Sequence, residues 1–248
     1  MLQILKTTSG VIRSLRIYYG QRGHASAMDR LYGQFINRGD LVFDIGSHVG
    51  DRVASFCRLG ARVVAVEPQP AMVAVLRLLY GRNPAVAIEP IAVGREAGSA
   101  RIMINPGNPT VSTASQDFIT AARDAPGWEK QRWTRTVDVA MTTLDALIEK
   151  HGKPAFMKID VEGFEAEVLA GLAEPVRAIS FEFTTIQREV ARTCIERCLA
   201  LGYGRFNAAL GESQSLTHES WIGGDAIANW LAALPHAANS GDIYARLP

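Results

Sequence analysis

From residue 41 onward the chain alternates short apolar, β-rich runs with segments of helical periodicity, and few folds accommodate that order. Leu41–Ile45 reads as the first strand, followed by a glycine turn and a helix over about 51–59. In that helix Val53, Phe56 and Cys57 recur at i, i+3, i+4, with Gly60 in a C-cap position. Arg62–Val66 follows as a second strand with no hairpin between, and Pro70 opens the next helix, whose apolar members run from Met72 to Leu79. Val86–Val93 is expected as a third strand. Phe156–Val161 and Val176–Phe183 are further strands, trailed by helices over Phe164–Leu172 and Ile186–Leu201. Repeated strand–helix alternation implies right-handed crossovers, hence an α/β, doubly wound, mostly parallel sheet with helices on both faces. Ligands of such sheets sit beyond the carboxyl ends of the strands, where the strand order reverses.

Two regions break the pattern. Ser99–Ile104 suits a short extra strand, and 105–135 is too long for a plain loop, so an insertion at about 105–136 is expected with a helix around Ser115–Arg123. Its Trp128 and Trp133 either pack that insertion onto the sheet or stack on a sugar ring; Tyr18 and Tyr19 carry the same ambiguity. The stretch after Gly202 supplies final strands, Asp242–Leu247 the clearest. Residues 1–38 are read as an N-terminal helical segment packing on a domain formed by 39–248. Within it 2–19 mixes Leu2, Leu5, Ile12, Leu15 and Ile17 with basic residues, which suits a helix packed on the sheet, a membrane-surface helix or an interface between copies. Lys6, Arg13 and Arg16 interrupt any signal-peptide core, and no run approaches the ~18 apolar residues of a membrane span. With 26 basic and 25 acidic residues the net charge is +1, which argues against a large nucleic-acid footprint. Cys57, Cys194 and Cys198 form no CxxC pair; Cys194 and Cys198 share a helix face as buried thiols, and a cytoplasmic location is expected.

The chemistry begins at Asp44-Ile45-Gly46-Ser47-His48-Val49-Gly50, between a strand and a helix. Gly46 permits a sharp turn and close approach, Gly50 eases contact between helix and strand, and the helix N-terminus offers N–H groups to an anion. Asp44 offers an acceptor to an ammonium group or an ordered water. Glu67, ending the next strand, can accept hydrogen bonds from the vicinal hydroxyls of a ribose. A dinucleotide fingerprint would need glycines at 46, 48 and 51, where His48 and Asp51 stand, and there is no phosphate-binding loop. This disfavours a nucleotide-linked oxidoreductase. Adenosine attached to an amino acid fits better, although glycine after a strand is also ordinary turn chemistry.

These segments resemble the FkbM-type family of class I S-adenosylmethionine-dependent methyltransferases. The resemblance rests on Gly39-Asp40-Leu41-Val42-Phe43-Asp44-Ile45-Gly46, Val66-Glu67-Pro68-Gln69-Pro70, Ala92-Val93-Gly94, Thr143-Leu144-Asp145 and Lys158-Ile159-Asp160-Val161-Glu162-Gly163, in the family's order and spacing over about 39–185. It implies a Rossmann-like, seven-stranded sheet with the cofactor S-adenosylmethionine over the first two strands. Asp44, Ile45, Gly46, Ser47, His48 and Gly50 would then face the methionyl part, Glu67 and Pro68 the ribose, and Ala92 and Val93 the adenine edge. His48 departs from the family, which usually carries a small amide residue there.

A sulfonium methyl is already electrophilic, so the protein's task is to aim a nucleophile and remove its proton. Lys158, Asp160 and Glu162 share one face of their strand by alternation, as do Ser180, Glu182 and Thr184 on the next. Charge is unusual in central parallel strands, so Lys158 is expected to pair with Asp160 or Glu182. The cluster is either the rim of a transfer site, with Asp160 orienting substrate or cofactor and Glu162 or Glu182 as acceptor or weak base, or a structural ion-pair network. Its spacing demands no divalent ion, and no metal is expected. Among His24, His48, His151, His218 and His236, the first two are the better candidate bases. The expected function is methylation of a hydroxyl oxygen on a small molecule or saccharide, the oxygen preference coming from the resemblance. A nitrogen acceptor and a non-catalytic adenosyl-binding module are the alternatives.

Overall fold

In a computed structural model that describes residues 23–248, the expected alternation builds a single seven-stranded sheet. The apolar and basic segment over 2–19, with Tyr18 and Tyr19, lies outside the described residues. The first described helix, α1 (His24–Tyr32), leads to β1 (Leu41–Ile45), α2 (Asp51–Arg58), β2 (Arg62–Val66) and α3 (Pro70–Tyr80). Then come β3 (Val86–Glu89), β4 (Ala92–Val93), β5 (Gly98–Ile104), α4 (Gln116–Arg123) and β6 (Arg135–Thr142). The chain continues as α5 (Leu144–His151), β7 (Phe156–Ile159), α6 (Glu165–Ala170), β8 (Ala178–Thr184) and α7 (Arg188–Ala200). It ends with β9 (Arg205–Leu210), α8 (Gly224–Ala233) and β10 (Ser240–Arg246). The main sheet has the order β3-β2-β1-β7-β8-β10-β9, parallel from β3 through β8, with β10 antiparallel to both its neighbours. Its order reverses between β1 and β7.

Alternation along the central strands divides the core in two. Phe43, Ile45, Val64, Met157, Ile159, Ile179 and Phe181 face a layer containing Val168, Leu169, Cys194, Ile195, Cys198 and Ile227. Val42, Val63, Phe156 and Ala178 face the other way, onto Met28, Leu31 and Tyr32 of α1, Val53 and Phe56 of α2 and Leu76 of α3. Burying each such side chain stabilises the fold by roughly 1.5–3 kcal/mol. The Tyr32 and Phe56 rings meet edge to face at 4.9 Å, and Phe35 stacks on Phe156 at 5.2 Å.

Several elements differ from expectation. The single strand foreseen over Val86–Val93 is two, because Pro90 has no N–H to continue the ladder. β3 closes the main sheet, whereas β4 joins a separate three-stranded sheet in the order β4-β6-β5. β6 was not foreseen as a strand: it is largely solvent-facing and lacks an apolar run. Nor were α5 and α8, although Thr143 caps α5 by accepting from the Ala146 N–H at 3.1 Å.

Candidate functional site

At the order reversal the carboxyl ends of β1, β2, β7 and β8 open into a crevice of about 980 Å³, part of it in solvent. The turn after β1 forms its floor. Gly46 has φ +87°, and the Gly46 and Ser47 N–H groups both donate to the Val66 carbonyl, at 2.9 and 3.0 Å. The Ser47 hydroxyl donates back to the Asp44 carbonyl at 2.7 Å. His48 stands in the left-handed region at φ +48°, a conformation that Asn and Gly adopt more readily than His.

Glu67 joins the first two loops. Its carboxylate accepts from the His48 N–H at 2.9 Å and the Gln69 N–H at 2.8 Å. Each oxygen keeps a lone pair for a further donor. Burial pushes its pKa to about 7 against the pull of those N–H groups. Asp44 is 2% exposed and one of its oxygens has no hydrogen-bond partner. Burial pushes it to about 7 as well, although Lys158 pulls it down. Ile45, Pro68, Ala92 and Val93 line the same crevice, together with Ile91 and Ile102.

Gly50 does not line it. Its φ of +80° caps α2, and any Cβ would lie 2.6–2.7 Å from Tyr80 and Leu76, so this glycine admits α3 rather than a ligand. Nor do the two favoured histidines make good bases. His24 lies at the start of α1, outside the crevice walls. His48 lines the crevice, but burial lowers its pKa to about 4, which leaves it neutral and weakly basic at pH 7.

At the other end stand Lys158, Asp160, Glu162 and Glu182. Lys158, 2% exposed, donates to Asp160 at 2.9 Å as expected, but its second partner is Asp242 of β10, at 3.0 Å, rather than Glu182. Burial alone would discharge this ammonium; the two aspartates outweigh it and hold its pKa well above the usual lysine value. Burial raises Asp160 too, yet Lys158 outweighs it and keeps this carboxylate low. Glu162 and Glu182 are driven far above the carboxylate range, first by burial and then by neighbouring acids. Asp160 and Glu182 share a hydrogen bond.

Glu162 reaches the crevice differently from expectation. β7 ends at Ile159, and a turn with φ +55° at Glu162, instead of strand alternation, delivers its side chain. Glu165 organises that turn by accepting from the Val161 and Gly163 N–H groups at 2.9 and 3.0 Å.

The insertion supplies the remaining wall through Thr110, Ser112, Thr113 and Ala114, none of which local pattern had singled out. Gln69 donates to the Pro109 carbonyl at 3.3 Å, tying this wall to the loop after β2. Trp128 and Trp133 stay out of the crevice: both pack edge-on against Phe118, and the Trp133 indole donates to the Val111 carbonyl at 2.7 Å. Arg52 and Glu212 were also missed. Arg52 lies in the crevice wall between Asp51 and Glu212, the latter 2.9 Å away. Its place in the first turn of α2, two residues beyond Gly50, was the available signal; Glu212 follows β9 and had none.

The strand order, the antiparallel β10 and a glycine-turn crevice at the reversal define a Rossmann-like α/β domain of the class I methyltransferase fold. The chain belongs to the methyltransferase FkbM domain family, whose model matches residues 44–215. It is 28% identical over 163 residues to the hexuronic acid methyltransferase AglP of Haloferax volcanii, an alignment covering 65% of this chain. The match spans less than two thirds of that relative, 62% of its length. Among solved structures, it is similar in fold to precorrin-6y C5,15-methyltransferase from Geobacter metallireducens, at TM-score 0.45 and 11% identity, covering 92% of this chain and 89% of that one. Magnesium protoporphyrin IX methyltransferase from Synechocystis, solved with bound SAM, gives TM-score 0.45 and 12% identity over 96% and 84%.

Proposed function

We propose that this chain transfers a methyl group from S-adenosylmethionine to a hydroxyl oxygen of a small molecule or saccharide. The carrying observation is one crevice with two chemically distinct ends. Buried Asp44 and Glu67 with free acceptor capacity occupy one, and the Lys158–Asp160–Glu162–Glu182 cluster the other. The first end fits the cofactor: Asp44 suits the ammonium of the amino-acid part and Glu67 the ribose hydroxyls, with Ile91, Ala92 and Val93 beside the adenine. When bound, the cofactor supplies a methyl group on a positively charged sulfur, already electrophilic.

The chain's own residues do the rest. Lys158 fixes the Asp160 carboxylate, which orients the acceptor hydroxyl, and a glutamate of the cluster takes the proton released as the O–C bond forms. Burial and the neighbouring acids raise the proton affinity of Glu162 and Glu182, so the step requires one of them in its ionised form, and turnover should rise with pH as that glutamate loses its proton. The saccharide preference draws support from the hexuronic acid methyltransferase relative. A nitrogen acceptor is the second reading, favoured by the cluster's negative charge, which would attract an amine.

The test combines S-adenosylhomocysteine calorimetry with labelled-methyl transfer to a panel of saccharides and amines. Homocysteine-compound binding with label on saccharide oxygen supports the proposal; no binding overturns it, and label on nitrogen shifts it to the second reading. Asp160→Asn is expected to lose turnover while keeping S-adenosylhomocysteine affinity.

A further inference from the structure

Spacing along the chain suggested no metal, yet three carboxylates converge in the folded protein. Asp160, Glu162 and Glu182 each bring an oxygen within 4.8 Å of the others'. They arrive from the end of β7, from the left-handed turn behind it and from β8. Glu162 is 6% exposed, lines the crevice and has no hydrogen-bond or ion-pair partner for its carboxylate among the described residues. One oxygen of Glu182 is likewise buried and unpartnered. Among the described residues, the cation that forms an ion pair with this group is Lys158, already shared between Asp160 and Asp242. A buried carboxylate without a donor or counter-ion is costly, so the arrangement calls for either an added positive charge or an added proton.

We propose that Asp160, Glu162 and Glu182 form a binding site for one hard divalent cation of the magnesium, manganese or calcium kind, at the acceptor end of the crevice. The donors are all oxygen, the preference of such ions, and three carboxylates leave coordination positions for water or for oxygens of the acceptor. Asp160 gives one oxygen to Lys158, and the ion would take the place of the proton through which Asp160 and Glu182 share their hydrogen bond. The site rests on the methyl-transfer reading for the acceptor's place and replaces its proton step: with Glu162 and Glu182 holding the ion, a hydroxyl coordinated to it would be acidified and would lose its proton to water. An ion there would coordinate vicinal hydroxyls of a sugar and would admit a sugar carboxylate, which the bare cluster would repel.

The test uses the full chain, treated with a chelator and dialysed, and reads Mn2+ binding by electron paramagnetic resonance with Mg2+ competition. One Mn2+ per chain is expected, weakened by about tenfold or more in both Glu162→Gln and Glu182→Gln. S-adenosylhomocysteine binding, measured on the same samples, shows that each protein is folded and separates the two readings. Retained homocysteine-compound binding without Mn2+ uptake by the native chain overturns the ion site and leaves methyl transfer standing. Loss of homocysteine-compound binding by the native chain would instead overturn the transfer reading. Mn2+ binding unaffected by either substitution places the ion elsewhere and overturns the assignment. Should a variant fail to fold, the native chain still decides: its melting temperature must rise with Mg2+ and fall back with chelator.

Discussion

The backbone carbonyl of Asp160 lies where a side chain on Gly46 would begin, so that a Cβ there would sit 1.8 Å from the carbonyl oxygen. The cofactor turn and the acidic turn are thus in backbone contact, made possible by the absence of a side chain and by a φ of +87°. Gly46→Ala must either unwind the turn or part β1 from β7. It is expected to destabilise the protein by about 2–5 kcal/mol, combining left-handed strain with overpacking. Urea unfolding checks this, and a loss below 1 kcal/mol would show that the two turns move apart freely.

If Glu67 holds the cofactor as proposed, cofactor affinity is expected to depend on pH. Its pKa is about 7 in the folded chain against an ordinary 4.5, and Asp44 rises similarly from 3.8. Both groups hold protons that the unfolded chain has already released, so their effect on stability worsens from about pH 4 up to pH 7 and is constant beyond. Ligand binding runs the other way, because ribose hydroxyls and an ammonium donate to the ionised carboxylates. S-adenosylhomocysteine affinity is expected to rise about tenfold or more from pH 6 to pH 8. Glu67→Gln should remove part of that slope and cost about 1–3 kcal/mol of binding, since an amide NH2 would face an N–H donor of His48 or Gln69. A flat calorimetric profile in the native protein would contradict this account of the ribose end.

Lys158 holds together strands that meet only in the folded sheet. With its ammonium removed, Asp160 and Asp242 face each other across β7, β8 and β10 without a counter-charge. Lys158→Met is expected to cost about 3–5 kcal/mol, the usual scale for breaking a buried pair. Adding Asp242→Asn should restore part of it, because one orphaned charge disappears. Denaturation of both variants checks the pairing, and equal stability of single and double variants would rule it out.

The cofactor end was more legible in the chain than the acceptor end, for a physical reason. Asp44, Gly46 and Glu67 sit at strand ends where backbone geometry dictates residue type locally, and β1 and β2 are recognisable apolar runs. Asp242 reaches Lys158 from 84 residues away, through an antiparallel strand inserted between β8 and β9. No local pattern encodes that contact. Glu162 obeyed alternation on paper but depends on a left-handed turn, and Gly50 looked like ligand chemistry although it serves Tyr80 and Leu76. The insertion wall was hidden because residues 110–114 lie in a short turn and an isolated bridge between Met103 and Thr113, with no periodic pattern.

Thr113 couples that insertion to the acidic turn. Its hydroxyl donates to the Glu162 carbonyl at 2.6 Å and accepts from the Ser115 N–H at 2.8 Å, and its backbone exchanges two hydrogen bonds with Met103. Together with Glu165, a residue of the insertion wall of the crevice therefore braces the turn at Glu162. Thr113→Val keeps the shape and removes both hydroxyl bonds, leaving a buried carbonyl unpaired at about 1–3 kcal/mol. With the turn free to relax, acceptor KM should rise and kcat fall, while S-adenosylhomocysteine affinity, set by Asp44 and Glu67, changes little. Thr113→Ser should restore both kinetic constants. A Val variant that is destabilised but kinetically native would make Thr113 a packing residue alone; joint loss in Val with recovery in Ser means that the insertion positions the carboxylate.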